Sequence, residues 1–382
     1  MSKEVVAIFD IATDRVAAAL VAPNATNQCV NFSTTTMLDL PYQEELNPER
    51  LLSAATKALG EVAQKLVAAN QPKPKSFHCF LASPFYAPQT RISHLNKEKD
   101  FTVNRAVLRD LANQERARFL QSVGDPDGTK GKLIDELVMQ VKLNRYVTKK
   151  PEHQTAREVE IATFLSWGEA AVIDKLNEAV KPVFHRQNLI FHSSTVAMYQ
   201  TFRLLFPNTP AALILQLGGE ITELSLIHSG ILLETVSYPL GFNFLLRELG
   251  TRLGLTPAAA LSLIKLGQKE GMREAEQQKF NETMEELRFK WLAIFSELLH
   301  ALAEKHFLAN RLFVLGDERF LGLFSTWLKN KSFAEVGILK KSLGVEPLTA
   351  KLHEGFCEIK ENQDFPDELL LMDALFCARI LE

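Results

Sequence analysis

The chain has little cysteine, little net charge and no long apolar run, and each shortage removes a class of protein. Its four cysteines in 382 residues, Cys29, Cys79, Cys357 and Cys377, form no close pair and no metal-ligand spacing. That argues against a disulfide framework and a metal site, and for reduced, mostly buried thiols. Lys and Arg total 43 against 46 Asp and Glu, a formal charge of -3 at pH 7. No global field therefore recruits nucleic acid or an anionic membrane. No segment reaches the eighteen or so apolar residues of a membrane span, and Met1-Ser2-Lys3-Glu4 leads directly into a strand, unlike a secretory signal. No polybasic tail is present. The expectation is a cytoplasmic protein without a membrane anchor of its own.

What is there is apolar material for more than one core: 46% of the residues are hydrophobic, in a chain longer than one core usually serves. The material is arranged as a repeat. Val5 to Asp10 reads as a strand, Ala12-Thr13-Asp14 as a turn, Arg15 to Val21 and Gln28 to Met37 as two more strands, and a helix follows from Pro48. About two hundred residues later the unit recurs: strand Ala212 to Gln216, turn Gly218-Gly219-Glu220, strands Ile221 to Ile227 and Ile231 to Ser237, and a helix after Gly241. Apolar, β-branched runs broken by small turn residues are hairpin signals, and a repeated supersecondary unit implies two similar halves facing a cleft.

Between the copies, Phe77 to Ala82 reads as a buried strand. Strand Thr90 to Leu95, helix Thr102 to Leu120, strand Leu133 to Tyr146 and strand Arg157 to Ser166 then read as a small separate domain. Its polar loop, Gly124 to Gly131, is expected to be exposed and mobile. It lacks the preceding core strand and the Gly-Lys-Ser/Thr ending of a P-loop. After it come helix Glu169 to Val180, strand Asn188 to Phe191 and helix Thr195 to Leu205. A helix capped at Thr256-Pro257 runs to Leu266, a long one from Arg273 to Lys305 with a solvated charged face, and a last one from Glu368 to Leu381.

The turns carry a resemblance. Phe9-Asp10-Ile11-Ala12-Thr13 resembles the first phosphate loop of the actin-like ATPases, Gln216 to Leu224 the second, and Leu312 to Glu318 the strand and turn of the adenosine loop. The layout is most similar to the FtsA/PilM type: FtsA of bacterial cell division and PilM, the platform protein of type IV pili. Both carry a small inserted domain, the SHS2 domain. The resemblance implies an α/β protein with a duplicated actin-like, ribonuclease H-like two-lobed fold and a small α+β insert. Residues 1–83 would start lobe I, 84–166 form the insert, 167–206 return to lobe I, and 207–382 form lobe II with a final helix closing back on lobe I.

By resemblance, ATP with magnesium is the cofactor, held by Asp10, Ala12, Thr13, Gln216, Gly218, Gly219, Thr222, Lys265 and Gly316. The motifs are degenerate. Gln216 stands where the family's strand ends in Asp, and an amide binds magnesium poorly and accepts no proton. Ser262 replaces the Glu of the Ala-Glu-x-x-Lys helix, leaving Lys265, which also reads as a solvated helix residue. Asp317 and Glu318 follow Gly316 where glycines belong, and repel a nucleotide. Gly218, Gly219 and Thr222 read equally as hairpin residues. The reading is a pseudo-ATPase without catalytic residues: an FtsA-type division scaffold binding the tubulin homologue FtsZ and self-associating. The first alternative is a PilM-like platform for pilus or type II secretion assembly that binds the cytoplasmic tail of a membrane protein and is recruited to the membrane by it. The second is a sugar or acetate kinase using Glu220 or Glu223 as base.

Overall fold

A computed structural model describes residues 5–24, 29–68, 73–184, 188–267, 274–333, 343–348, 356–359 and 367–380. Gln28, Arg273 and Leu381, at the bounds of elements read from the sequence, lie outside them, as does the side chain of Cys357. In chain order, β1 (Val6–Ile11), β2 (Arg15–Asn24) and β3 (Cys29–Asp39) form an antiparallel meander. Helix α1 (Pro48–Ala68) then crosses over to β4 (Ser76–Leu81), which lies parallel to β1. Leu51, Ala55, Leu59, Val62, Ala63 and Leu66 recur at helical spacing and are buried, so α1 seats one stripe on the sheet.

The insert follows as β5 (Ala87–Thr102), α2 (Arg105–Ser122), β6 (Gly131–Leu143), β7 (Tyr146–Thr148) and β8 (Thr155–Glu169). Its strands make one sheet in the order β5-β8-β6-β7. The strand expected to run from Leu133 to Tyr146 is in fact a hairpin. Asn144 and Arg145 take φ of 48° and 72°, the paired left-handed turn that reverses two strands. The loop from Gly124 is not loose either. Asp125, 1% exposed, accepts the amides of Thr129, Lys130 and Gly131 at 2.8, 2.9 and 2.9 Å and the Trp167 indole N–H at 3.0 Å.

The chain returns through α3 (Ala170–Phe184), β9 (Ile190–Ser193) and α4 (Ser194–Leu205). Here the insert is fastened to lobe I. Buried Asp135 of β6 accepts from the Ser193 amide (2.9 Å), the Ser193 hydroxyl (2.7 Å) and the Ser166 hydroxyl (2.5 Å), and lies 3.2 Å from His192 Nδ1. His192 in turn lies 3.0 Å from His78 of β4.

Lobe II repeats the plan. Strands β10 (Ala212–Leu217), β11 (Thr222–His228) and β12 (Ile231–Tyr238) form the second meander, followed by α5 (Phe242–Leu253), α6 (Pro257–Gly267) and α7 (Glu274–Lys305). Next come β13 (Arg311–Gly316), parallel to β10, α8 (Glu318–Lys329), the short strands β14 (Gly344–Pro347) and β15 (Cys357–Ile359), and α9 (Glu368–Ile380). The sheets run β15-β3-β2-β1-β4-β9 and β12-β11-β10-β13-β14, so β3-β2-β1-β4 and β12-β11-β10-β13 are the same arrangement twice.

The long helix α7 buries Phe280, Met284, Leu287, Trp291, Phe295, Leu299 and Leu302, a three-and-four spacing that leaves its charges outside. Trp291 stacks on Phe295 and meets Phe324 and Trp327 of α8. A further core joins the lobes. It combines Val6, Ile8 and Phe80 of one sheet with Ile214, Phe313 and Leu315 of the other, and packs them against α4 and α9. Among the described residues, Cys29, Cys79 and Cys377 are buried and form no disulfide.

Because a side chain at the second turn position holds positive φ, Arg145→Gly is expected to stabilise the protein by about 0.5–1 kcal/mol. Urea denaturation checks this; a decrease in stability would show that the Arg145 side chain, through its exposed contact with Glu158, outweighs the backbone strain.

Candidate functional site

Register fixes which residues of the two halves correspond. Asp10 faces Ala17 across the first hairpin and Gln216 faces Glu223 across the second, each with one further pair before a four-residue turn. Gln216 therefore holds in lobe II the place that Asp10 holds in lobe I.

The turns touch each other. The Glu220 amide donates to Thr13 Oγ1 at 2.9 Å, and a Cβ on Gly219 would come within 2.7 Å of Asp14 Cβ. Residue 219 must be small because the opposite turn is already there. The second turn is also held from behind, where the amides of Gly241, Phe242 and Asn243 donate to the carbonyls of Glu220, Gly218 and Gly219 at 3.0, 3.0 and 2.8 Å. The amides that open α5, which a helix leaves without internal partners, are thus taken by this turn. A Cβ on Gly241 would sit 2.2 Å from the Gly218 oxygen, so glycine alone permits the approach.

Arg15 lies beside the turns, 5% exposed. Its Nη1 donates to Asp10 at 3.1 Å and its Nε to Asp367 at 3.1 Å, and Nη2 also pairs with Asp367. Burial nonetheless pushes the Asp10 carboxyl up to about 6, against the pull of Arg15. Burial likewise lifts Asp14 to about 6, with Asp317 and Asp367 adding to it. Together these groups leave a cavity of about 30 Å3 lined by residues of both turns, among them Ala12, Thr13, Arg15, Gln216, Gly218 and Glu223. That is room for about two waters; on the other side of the Thr13–Glu220 contact a space of about 240 Å3 is lined by Thr13, Asp14, Tyr42, Glu220, Asn243 and Leu261, still below the roughly 300–1,000 Å3 of small-molecule sites.

Of the residues predicted to bind nucleotide, Ala12, Thr13, Gln216 and Gly218 line this cavity. Asp10 is occupied by Arg15, and Gly219 is buried against Asp14. The Thr222 hydroxyl donates to the Leu240 carbonyl at 2.8 Å, which ties β11 to the segment between β12 and α5. Gly316 packs on Leu217. Lys265 is exposed, because α6 turns Ala260 and Ile264 inward and leaves residue 265 outside. Asp317 lines the cavity and caps α8, accepting the Arg319 amide at 2.8 Å and pairing with the Arg319 guanidinium.

Two further carboxylates complete the seam. Glu220 accepts from Asn243 Nδ2 at 2.8 Å and from both Arg247 terminal nitrogens at 3.0 and 2.6 Å. Glu223 reaches into lobe I and accepts from the hydroxyls of Ser83 at 2.9 Å and Tyr86 at 3.0 Å; burial lifts its carboxyl to about 7. The sequence reading missed Arg15 and Asp367 as site residues. Arg15 gave one sign, a charge opening a strand that is otherwise apolar through Val21.

No family model matches the chain, and no curated protein matches it in sequence. Among solved structures it is similar over its length to a chain of the PilM-PilN type IV pilus biogenesis complex, with 14% identity, 98% of each chain covered and a TM-score of 0.63. It is also similar to the ethanolamine utilization protein EutJ from Carboxydothermus hydrogenoformans, with 12% identity, 99% of this chain and 89% of that one covered and a TM-score of 0.47. The chain has the duplicated actin-like two-lobed fold.

Two outcomes are expected of this site. Arg15→Met leaves buried carboxylates unpaired and should destabilise by about 3–5 kcal/mol, read by urea denaturation; a change below about 1 kcal/mol would show the triad to be incidental. Glu223, raised from 4.5 to about 7, holds its proton more tightly folded than unfolded. Stability should therefore fall as pH rises through that window, and Glu223→Gln should flatten this part of the profile.

Proposed function

We propose that this chain is a pilus- or secretion-type actin-like platform protein that does not turn over ATP. The observation that carries the non-enzymatic part is the closed seam: Thr13 and Glu220 bond across the position where the resemblance puts a triphosphate, and Arg15 neutralises Asp10. A kinase base is disfavoured on the same ground. Glu220 is held through both oxygens by Arg247, and Glu223 borders a space for water. The full-length likeness to the pilus platform structure favours the platform reading over the division reading, and with it a partner that is the cytoplasmic tail of a membrane assembly protein rather than a tubulin homologue. Among the described residues no helix is long and apolar enough to cross a membrane, so the proposed route to the membrane is recruitment by that partner.

Millimolar ATP with magnesium should leave the melting temperature unchanged and release no phosphate above a denatured control. Turnover of roughly one per second or faster would overturn the pseudo-ATPase reading. Crosslinking and affinity capture from the native cell should recover a membrane assembly protein; recovery of a tubulin homologue would return the assignment to division.

A further inference from the structure

Adjoining the closed seam through Arg15, Asp317 and Asp367, a groove of about 730 Å3 runs between β3, the start of α8 and the start of α9. Five carboxylates line it, Asp39, Asp317, Glu318, Asp367 and Glu368, with two arginines, Arg15 and Arg319. Both arginines are already matched, Arg15 by Asp10 and Asp367 and Arg319 by Asp317. The surplus charge is negative.

Glu368 is the informative member. It is 6% exposed, and among the described residues neither of its carboxylate oxygens has a hydrogen-bond partner. Burial first, then Asp367, Glu318 and Asp317, push its carboxyl up to about 8. Glu368 and Glu318 also border a second cavity of about 400 Å3. Its wall adds the exposed Lys329 and Ser325, whose buried hydroxyl is likewise unpartnered. Buried polar groups in folded proteins are normally satisfied, and an unpaired carboxyl among other carboxylates is an expensive exception. Something cationic would remove that expense.

We propose that this groove receives a lysine or arginine side chain from an extended segment of a partner protein, its cationic head donating to Glu368 and Glu318. A bare metal ion fits less well, since among the described residues no three His, Cys, Asp or Glu side chains are grouped to hold one. Nucleic acid would be repelled. Ala17, Leu370 and Met37, which is 51% exposed, give the groove an apolar wall suited to the methylene stem of such a side chain. The inference goes beyond the platform reading and does not depend on which assembly the partner serves.

The test is calorimetric titration of the full chain at pH 7 with acetylated, amidated hexa-arginine, in two buffers of different ionisation enthalpy. Binding with release of about one proton is expected, because a cation lowers the Glu368 pKa below the ambient pH. Glu318→Gln/Glu368→Gln should weaken binding about tenfold or more and abolish the proton release. The rim variant Asp39→Asn should weaken binding severalfold while keeping the release. Glu98→Gln/Asp110→Asn, two carboxylate-to-amide changes on the exposed surface of the insert, should alter neither. No binding of hexa-arginine, equal losses in both double variants, or proton release that survives Glu368→Gln would each overturn the proposal. Thermal melts should show the groove variants folding at least as stably as wild type, since they remove like-charge repulsion. Were the double variant not to fold, Asp39→Asn and the proton count on wild type still decide. Self-association abolished by the same variants would assign the cation to a second copy and overturn the choice of partner.

Discussion

A guanidinium buried between two carboxylates sets the terms for everything around it. Arg15 opens β2, Asp10 lies near the end of β1, and Asp367 precedes α9. A charge with so little exposure is tolerable only if its partners are fixed in place, and the fold fixes them. The Asp367 carboxylate also accepts the amides of Leu369 and Leu370 at 2.9 and 3.3 Å, so the group that neutralises Arg15 also caps the helix. The placement of that helix then decides a core, because Leu371, Ala374 and Leu375 lie fully buried among residues of both sheets. One ion triad thus ties the first hairpin, the last helix and the shared apolar interior.

A fold built around a cleft can remain intact when the two turns that face it meet directly. In the resemblance, backbone amides and carboxylates at the seam meet phosphate and metal. Here they meet one another. The Glu220 amide goes to Thr13, the opening amides of α5 go to the second turn, and a fixed cation stands beside Asp10. The architecture needs hairpins, small turn residues and apolar strand faces. It does not need the particular side chains that chemistry would select, so 14% identity over 98% of each chain is compatible with the same fold.

The repeat was legible in the sequence because it rests on local rules. Alternation and small turn residues mark β1 to β3 and β10 to β12, and the apolar spacing of α7 survives its many charges. The correspondence of Asp10 with Gln216 could be read for the same reason, since both lie a fixed step before a turn. What stayed hidden depends on distance or on single backbone angles. Arg15 and Asp367 are 352 positions apart, and no local pattern announces such a pair. The break at Asn144-Arg145 lacks the glycine that would mark the turn, so β6 and β7 read as one strand. Asp125 looked like part of a loose polar loop, because its four donors come from main-chain amides and a distant indole. Strands β14 and β15, four and three residues long, are too short to show a period, and only Asp317 separates α8 from β13, with no loop between to mark the helix.

The distribution of tryptophan gives the molecule an unplanned optical asymmetry. All three, Trp167, Trp291 and Trp327, lie outside the first lobe: one in the insert beside the Asp125 clamp, two in the aromatic cluster beneath α7 and α8. Tryptophan emission therefore reports on the insert and on lobe II, while the hairpin that bears Arg15 carries no tryptophan. Loosening of the first lobe alone would pass unseen by selectively excited tryptophan fluorescence and register in backbone dichroism, so a mismatch between the two signals would time the parting of the lobes without any label.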